Sequence, residues 1–413
     1  MTTSDDRQDE QKCPACSQSD LREVLKEKLV TFIFPVPNDL IEKVTRESIS
    51  ISECLKCGHV FQKNVDRSLI ERIYGDFYRH YNLDTSEQFQ GVYAERTLNF
   101  FERTLDSKGK QGGTMLDIGC GEGELFPYFL QQGYECCGYE PSAKYLIAED
   151  RYPIVQVRGR FFGATERDQL VSDEKFDVIV INWVLEHVID LDEFMLTLRS
   201  ACKPGTKVFI QVPDLRYYLE NDLYLFYVHE HIHYFSSDSL SELLRREGFT
   251  VYDVEQGDCP SLLVCAVYLS DQKNSLGCDQ TRNRLNLMEF ISQGRLVAGT
   301  LKLIFKNYEK IVFYGAGTTT YWTAEFCLDE ESKKKVEVID DNEFYWGKVA
   351  PSFNVQISGM YNIEAGDKTL FFIGTSPVYR DRIIKKIEEK VSGKFEIGYL
   401  DNNEVKIIEK QID

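Results

Sequence analysis

The chain has 413 residues and a formal net charge of −19, from 48 Lys and Arg against 67 Asp and Glu. That balance argues against non-specific binding to nucleic acid or to anionic membrane, and the length calls for two or three domains. A hydrophobic content of 43% can fill real cores, yet no apolar run nears the roughly 18 residues that a bilayer span needs. The polar start, Met1 to Lys12, has no apolar h-region, so a soluble, cytoplasmic and monomeric protein is the expectation.

The first residues that carry chemistry are two knuckles, Cys13-Pro14-Ala15-Cys16 and Cys54-Leu55-Lys56-Cys57-Gly58. Each C-x-x-C presents two thiolates from a tight turn, and two such turns make a tetrahedral zinc site. Four sulfurs leave no open position, so the metal would be structural. The gap between the knuckles exceeds the usual ~15–20 residues. A hairpin or subdomain must fill it, with Pro35-Val36-Pro37 at its turn and Ile49 to Ser52 as the strand entering the second knuckle. A redox dithiol is the alternative, but neither pair opens a helix in a βαβ unit. His59 reads as a bystander, and the remaining cysteines, Cys278 among them, read as core.

Arg96 to Ser107 has apolar residues at helical spacing (Leu98, Phe101, Leu105). Met115-Leu116-Asp117-Ile118 then reads as a buried parallel strand that breaks into Gly119-Cys120-Gly121-Glu122-Gly123. The alternating glycines let the backbone turn tightly and approach a ligand. Glu124 to Gln132 can form the following helix, provided Pro127 falls in its first turn. Such a turn alone is weak evidence, since NAD, FAD and S-adenosylmethionine (SAM) sites all use related loops. Tyr134 to Tyr139 is a second strand, ending at Glu140-Pro141-Ser142. Glu140 lies about 20 residues past the turn, where an acid can accept hydrogen bonds from both ribose hydroxyls.

Val155 to Val157 and Asp177 to Ile181 are the next strands. Ligands in a doubly wound sheet sit at the carboxyl ends of strands, which puts Asn182 to His187 at the mouth of a site. Lys203-Pro204-Gly205 reads as a turn before the strand Lys207 to Val212, which Pro213-Asp214 breaks. Three of the six histidines fall in His229-Glu230-His231-Ile232-His233-Tyr234-Phe235-Ser236. On a strand they would share a face and on a helix they would splay. A general base, a satisfied structural cluster and a second metal site are all open readings. Ser236 to Gly248 reads as a capped helix and Phe249 to Val254 as a strand.

Leu285 to Asn307 has helical periodicity, and Lys310 to Tyr314 is a strand before Gly315-Ala316-Gly317-Thr318-Thr319-Thr320. Val336 to Ile339 ends at Asp340, about 20 residues on, as a ribose-binding acid would. Thr320 stands where a dinucleotide pattern has its third glycine, which argues against NAD. Backbone amides at the Gly315 turn could bind a phosphate. Thr369 to Ile373 is a further buried strand, and Glu330 to Lys335 reads as a solvated helix end.

The motifs Asp117-x-Gly119-x-Gly121-x-Gly123 and Gly138-Tyr139-Glu140-Pro141-Ser142 resemble those of class I SAM-dependent methyltransferases. The order of knuckles, SAM core, His229-Glu230-His231 run and Gly315 region resembles the sugar C-methyltransferases that act on nucleotide-linked keto-deoxysugars. The resemblance implies an α/β protein with a class I Rossmann-like core. A zinc-binding domain would occupy residues 1–75, the methyltransferase domain 76–280 and a nucleotide-sugar-binding α/β domain 281–413. It implies SAM and zinc as cofactors and a nucleotide-linked sugar, with dTDP as the nucleotide, as partner. By motif position His231 would be the base and Glu230 its neighbour, with His187 and a tyrosine from the segment Tyr74 to Tyr81 (Tyr78 or by preference Tyr81) also in the site. Asp117, Gly119, Gly121, Gly123, Glu140 and Asn182 would bind the cofactor, and Cys13, Cys16, Cys54 and Cys57 the metal. The family's tyrosine before His-Glu-His is Val228 here, with Tyr227 one step earlier. Because His-x-x-Tyr-Phe-Ser also occurs in oxygen methyltransferases, the alternative is an O-methyltransferase on a sugar or natural-product hydroxyl. A non-catalytic SAM- or nucleotide-sugar-binding module and an NAD oxidoreductase are the more distant readings.

Overall fold

A computed structural model describes residues 12–78, 92–105, 112–142, 144–163, 175–257, 259–269, 285–375 and 379–412. Three sheets organise them. The first is antiparallel: β1 (Leu21–Val30), β2 (Arg46–Cys54) and β3 (Val60–Gln62), completed by the short strand His233–Tyr234, β9 in chain order. The hairpin β1–β2 fills the gap between the two cysteine knuckles. A strand from the middle of the sequence thus closes the N-terminal sheet.

The second sheet contains β4 (Gly113–Ile118), β5 (Tyr134–Tyr139), β6 (Gln156–Arg158), β7 (Phe176–Asn182), β8 (Cys202–Pro213), β10 (Phe249–Glu255) and β11 (Ser261–Tyr268). Their order is β10-β11-β8-β7-β4-β5-β6, parallel except for the β10–β11 hairpin edge. From β4 the chain winds outward to β5 and β6, then returns to β7 and β8 on the other side. The order reverses between β4 and β7, and ligands of such sheets bind at that switch point. Apolar Leu116, Ile118, Ile179, Ile181, Val208 and Ile210 are buried on one face, as a sheet covered by helices requires.

Two expectations shift. The helix after the glycine turn begins at Phe126, not Glu124, because Pro127 can occupy only its first turn. Lys203-Pro204-Gly205 does not precede a strand that starts at Lys207. β8 already begins at Cys202, and the register jumps from Phe176↔Cys202 to Val178↔Lys207. The extra residues bulge out, held by Lys203 N–H to Thr206 Oγ1 (2.9 Å) and Thr206 Oγ1 to the Phe176 carbonyl (2.6 Å).

The helix Leu287–Phe305 leads to a third, eight-stranded sheet. Its strands are β12 (Lys310–Tyr314), β13 (Val336–Ile339), β14 (Val349–Ala350), β15 (Val355–Ser358), β16 (Ile363–Ala365), β17 (Thr369–Ile373), β18 (Val391–Asp401) and β19 (Glu404–Ile412). β12 lies between β13 and β17, both parallel to it. One apolar cluster runs from Leu25 and Ile51 through Tyr224 and Phe226 to Phe290, Trp322 and Phe372, so this unit packs on the N-terminal sheet. A backbone bridge between Val36 and Val349 joins the two directly. No helix of the described residues is long and apolar enough to cross a membrane.

Candidate active site

The cofactor end of the site follows from β4 and β5. Gly119 has φ +79°, and a Cβ there would sit 2.3 Å from Val184 Cγ2, so only glycine lets β4 turn beneath the segment after β7. Gly123 is equally constrained, by Phe126 and Tyr152. The Gly121 N–H donates to Glu140 Oε2 (3.1 Å) and the Ser142 N–H to Glu140 Oε1 (2.8 Å). Glu140 is therefore held over the turn, with lone pairs left for a ribose diol. Asp117 is buried under the same turn, and burial, with Glu124 and Glu140 nearby, pushes its carboxyl well above the usual range. Asn182 ends β7, and its amide Oδ1 and Nδ2 are both buried without a partner among the described residues. Such an orphaned donor and acceptor at a strand's carboxyl end fits a polar ligand. SAM therefore fits the donor set: turn backbone, the acid Glu140 held over it, and an amide without a partner among the described residues.

The other end is built by Leu185–His187, a single helical turn after β7, and by the loop 228–232. The His run adopts neither strand nor helix until His233, and its three imidazoles part ways. His229 turns towards β1, where the Leu29 carbonyl supplies a hydrogen bond. His233 Nε2 pairs with the Val188 carbonyl (2.9 Å) and its Nδ1 with His59 Nε2 (3.2 Å). His231 meets His187 edge to face, with ring centroids 4.8 Å apart. His187 Nδ1 is fixed by the Glu230 carbonyl at 2.9 Å. Burial lowers the pKa of His187 to about 4, and burial with His187 alongside lowers that of His231 well below the ordinary value. Both rings are thus neutral near pH 7, and burial makes each a weaker base than a free imidazole.

Three further residues meet at this end, and of these only Tyr74 falls in a segment from which the sequence implies a site side chain. The Glu186 carboxyl is 1% exposed, 3.8 Å from His187 Nε2, and pushed up to about 8 by burial. Its only signal was its place in the run after β7. Tyr74 stacks edge-on to His187 at 6.0 Å, and its hydroxyl is raised by burial and by Glu230, Glu186 and Glu140. Tyr81 and the side chain of Tyr78 lie outside the described residues. Gln62, on β3, donates from Nε2 to the carbonyls of Val228 (2.9 Å), His229 (2.9 Å) and His231 (2.6 Å). Nothing in the sequence around Gln62 marks that long-range brace. Glu230 itself is buried, and its main chain rather than its carboxylate touches His187.

Away from this pocket, the sulfurs of Cys13, Cys16, Cys54 and Cys57 converge within 4.8 Å of one another. Cys13 and Cys57 are 3.6 Å apart and Cys16 and Cys54 3.5 Å, close to the about 3.8 Å between sulfurs around a tetrahedral zinc. All four are buried and none forms a disulfide. Cys278 lies outside the described residues.

Residues 85–254 match a family model described as a methyltransferase domain. Among curated proteins, the ubiquinone biosynthesis O-methyltransferase of Rhizobium etli is 30% identical over 113 residues, 27% of this chain and 46% of that protein. The enzyme of the same name from Sinorhizobium medicae is 33% identical over 120 residues, 28% of this chain and 48% of that protein. The chain thus spans about half the length of the curated relatives it matches. Among solved structures, the Burkholderia thailandensis 1,6-didemethyltoxoflavin N1-methyltransferase, with 1,6-didemethyltoxoflavin and S-adenosylhomocysteine bound, superposes with a TM-score of 0.39 at 16% identity. That alignment covers 51% of this chain and 96% of the other. Strand order, glycine turn and sequence match agree: the middle of this chain is a methyltransferase domain with the class I SAM-dependent fold.

Proposed function

We propose that this protein is a SAM-dependent C-methyltransferase acting on a nucleotide-linked keto-deoxysugar, dTDP-linked as the family resemblance implies. The observation that supports it most is the neutral His231–His187 pair, set at the mouth of the switch point where Asn182 and Glu140 serve the cofactor. Bound SAM supplies an electrophilic methyl group on a sulfonium. His231 takes the acidic proton from the carbon beside the ketone, and the C–H electron pair passes into the enolate, whose carbon bonds the methyl as the methyl–sulfur bond breaks. The His187 ring, locked by the Glu230 carbonyl, and the hydroxyl of Tyr74 or Tyr81 orient the sugar. Cys13, Cys16, Cys54 and Cys57 hold zinc as a closed structural site. The C-terminal unit, residues 281–413, holds the nucleotide.

A second reading has its own support. The curated relatives are O-methyltransferases by name, and a neutral histidine can equally deprotonate a hydroxyl. One experiment separates the two. Purified protein is incubated with carbon-13-methyl SAM and a panel of nucleotide-linked keto-deoxysugars, and the products are read by carbon NMR. Label on carbon supports the first reading, label on oxygen replaces it with the second, and no transfer to any sugar removes the keto-deoxysugar acceptor and turns the search to other hydroxyls. His231→Ala should still bind S-adenosylhomocysteine but lose turnover by ~10²–10⁴-fold.

A further inference from the structure

Besides the four cysteines, a second set of metal-ligating side chains converges among the described residues. One atom each from Glu186, His187 and His231 lie within 4.8 Å of one another. Two of these residues come from the single helical turn Leu185–His187 and the third from the loop 228–232. Of the three histidines in the His229–His233 run, only His231 belongs to the set. Its ring stands edge to face with that of His187, centroids 4.8 Å apart.

Hydrogen bonds to the main chain hold the two segments together. The Ile232 N–H donates to the Glu186 carbonyl (2.6 Å), and His187 Nδ1 meets the Glu230 carbonyl (2.9 Å). A carbonyl only accepts, so Nδ1 carries the ring proton and the lone pair of His187 lies on Nε2. That nitrogen faces Glu186 Oε1 at 3.8 Å. Two acceptors therefore look at each other across a gap too wide for a shared proton. The Glu186 side chain is 1% exposed, and its other oxygen is buried with no partner among the described residues. Buried polar atoms left in this state call for a ligand. A cation between the carboxylate and the imidazole would satisfy both. A ring oriented through Nδ1–H by a backbone carbonyl, with Nε2 left to bind, is also how ligating histidines are ordinarily held.

Two imidazoles and one carboxylate suit the first-row transition dications, whereas Mg²⁺ and Ca²⁺ call for oxygen. Zinc holds such ligands at about 2.0–2.2 Å, so ligand atoms lie roughly 3.4 Å apart and side-chain rotation must draw the set in by about 1 Å. The His187 side chain keeps 19% of its surface, which leaves an entry path and an open coordination position.

We propose that Glu186, His187 and His231 form a second metal site, separate from the four cysteines, that takes a first-row transition dication such as Zn²⁺ or Co²⁺. The site itself needs no assumption about methyl transfer. Its effect on turnover rests on the reading given above. A neutral imidazole has one ring lone pair, so His231 cannot hold a metal and take the acceptor's proton at once. Bound metal therefore blocks that base.

The test uses the full chain with its cysteines already loaded with zinc. Co²⁺ is titrated in and followed by visible absorption and metal analysis. One Co²⁺ per chain should bind beyond the zinc, with d–d bands but without the sulfur-to-cobalt charge transfer of a thiolate site. Glu186→Gln and His187→Gln should each weaken Co²⁺ by at least ~10-fold. Both should bind S-adenosylhomocysteine as the parent does, which also shows that they fold. In the methyl-transfer assay Co²⁺ should inhibit the parent, and a chelator that leaves the cysteine-bound zinc in place should restore it. The site falls if no Co²⁺ binds at millimolar metal, if all the Co²⁺ taken up shows thiolate charge transfer, or if both variants bind it as tightly as the parent. Turnover that required the metal would keep the site and overturn His231 as a free base, so the two readings fail separately.

Discussion

The turns at Gly119 and Gly315 share one hydrogen-bonded construction and set it before different helices. Each places an acid, Glu140 or Asp340, over a strand end, each sits at a reversal of strand order, and each needs glycine because a side chain follows the neighbouring strand. SAM has a ribose but no phosphate, so a site for it needs the acid and has no use for a helix start. The methyltransferase turn accordingly runs several residues before its short helix, whereas the Gly315 turn runs straight into a longer one. The acid and the helix start are therefore separable parts. Which of them follows a glycine turn says more about its ligand than the glycines do.

Four measurements would break or sharpen this comparison. Metal removal should have the largest effect. The N-terminal sheet touches both units, the acceptor loop through Gln62 on β3 and the C-terminal unit through Val36 between β1 and β2. A chelator with a thiol reagent should release one zinc per chain and forfeit ~10 kcal/mol of binding free energy, lowering the melting temperature of both units together. A melt unchanged by metal loss would separate the hairpin from both.

Next come Gly119→Ala and Gly315→Ala. Both force a side chain into φ near +79° or +96° and against a neighbour, and each should cost about 2–4 kcal/mol in denaturant unfolding. Only Gly119→Ala should also abolish binding of S-adenosylhomocysteine. Equal loss in the two variants would mean that the turns are not separate sites.

Glu140→Gln should weaken S-adenosylhomocysteine by ~10–100-fold, about 1.4–2.7 kcal/mol, read by calorimetry. A variant that bound as tightly as the parent would remove Glu140 as the ribose acid. The smallest effect concerns pH. His187 titrates at about 4 in the fold against its ordinary 6.5, so the unfolded chain takes up its proton first. Its contribution is fully present above pH 6.5 and is lost as pH falls through 4. Melting temperature should drop over that window, and His187→Asn should flatten the slope by about 1–3 kcal/mol. An unchanged slope would assign the acid sensitivity elsewhere.

Much of the framework is legible in the sequence. Tyr134–Tyr139, Lys310–Tyr314, Val336–Ile339 and Thr369–Ile373 form strands where short apolar runs meet glycine or acidic breaks. Ser236 caps its helix as its hydroxyl suggests, although the reciprocal partner at the third position is Ser239 rather than an acid. Local signals of this kind depend on neighbours along the chain. The site depends on neighbours across it. His59 finds His233, Gln62 finds three carbonyls of a distant loop, and Tyr74 finds the His187 ring, none of which periodicity encodes. The His229–His233 run defeated both periods because only its last residue lies in a strand, and each imidazole answers to a different tertiary partner.

The Gln62 brace bears on how this protein could be engineered. One amide nitrogen, with two hydrogens, serves three carbonyls of the loop that presents His231. Ile232 is pinned as well, its N–H to Glu186 and its carbonyl to the Gln62 N–H. A minimal enzyme cut to the methyltransferase domain would keep every cofactor contact yet lose the shelf on which the acceptor loop rests. Transplanting that loop into another class I scaffold would likewise carry over the chemistry without its alignment, unless β3 travels with it.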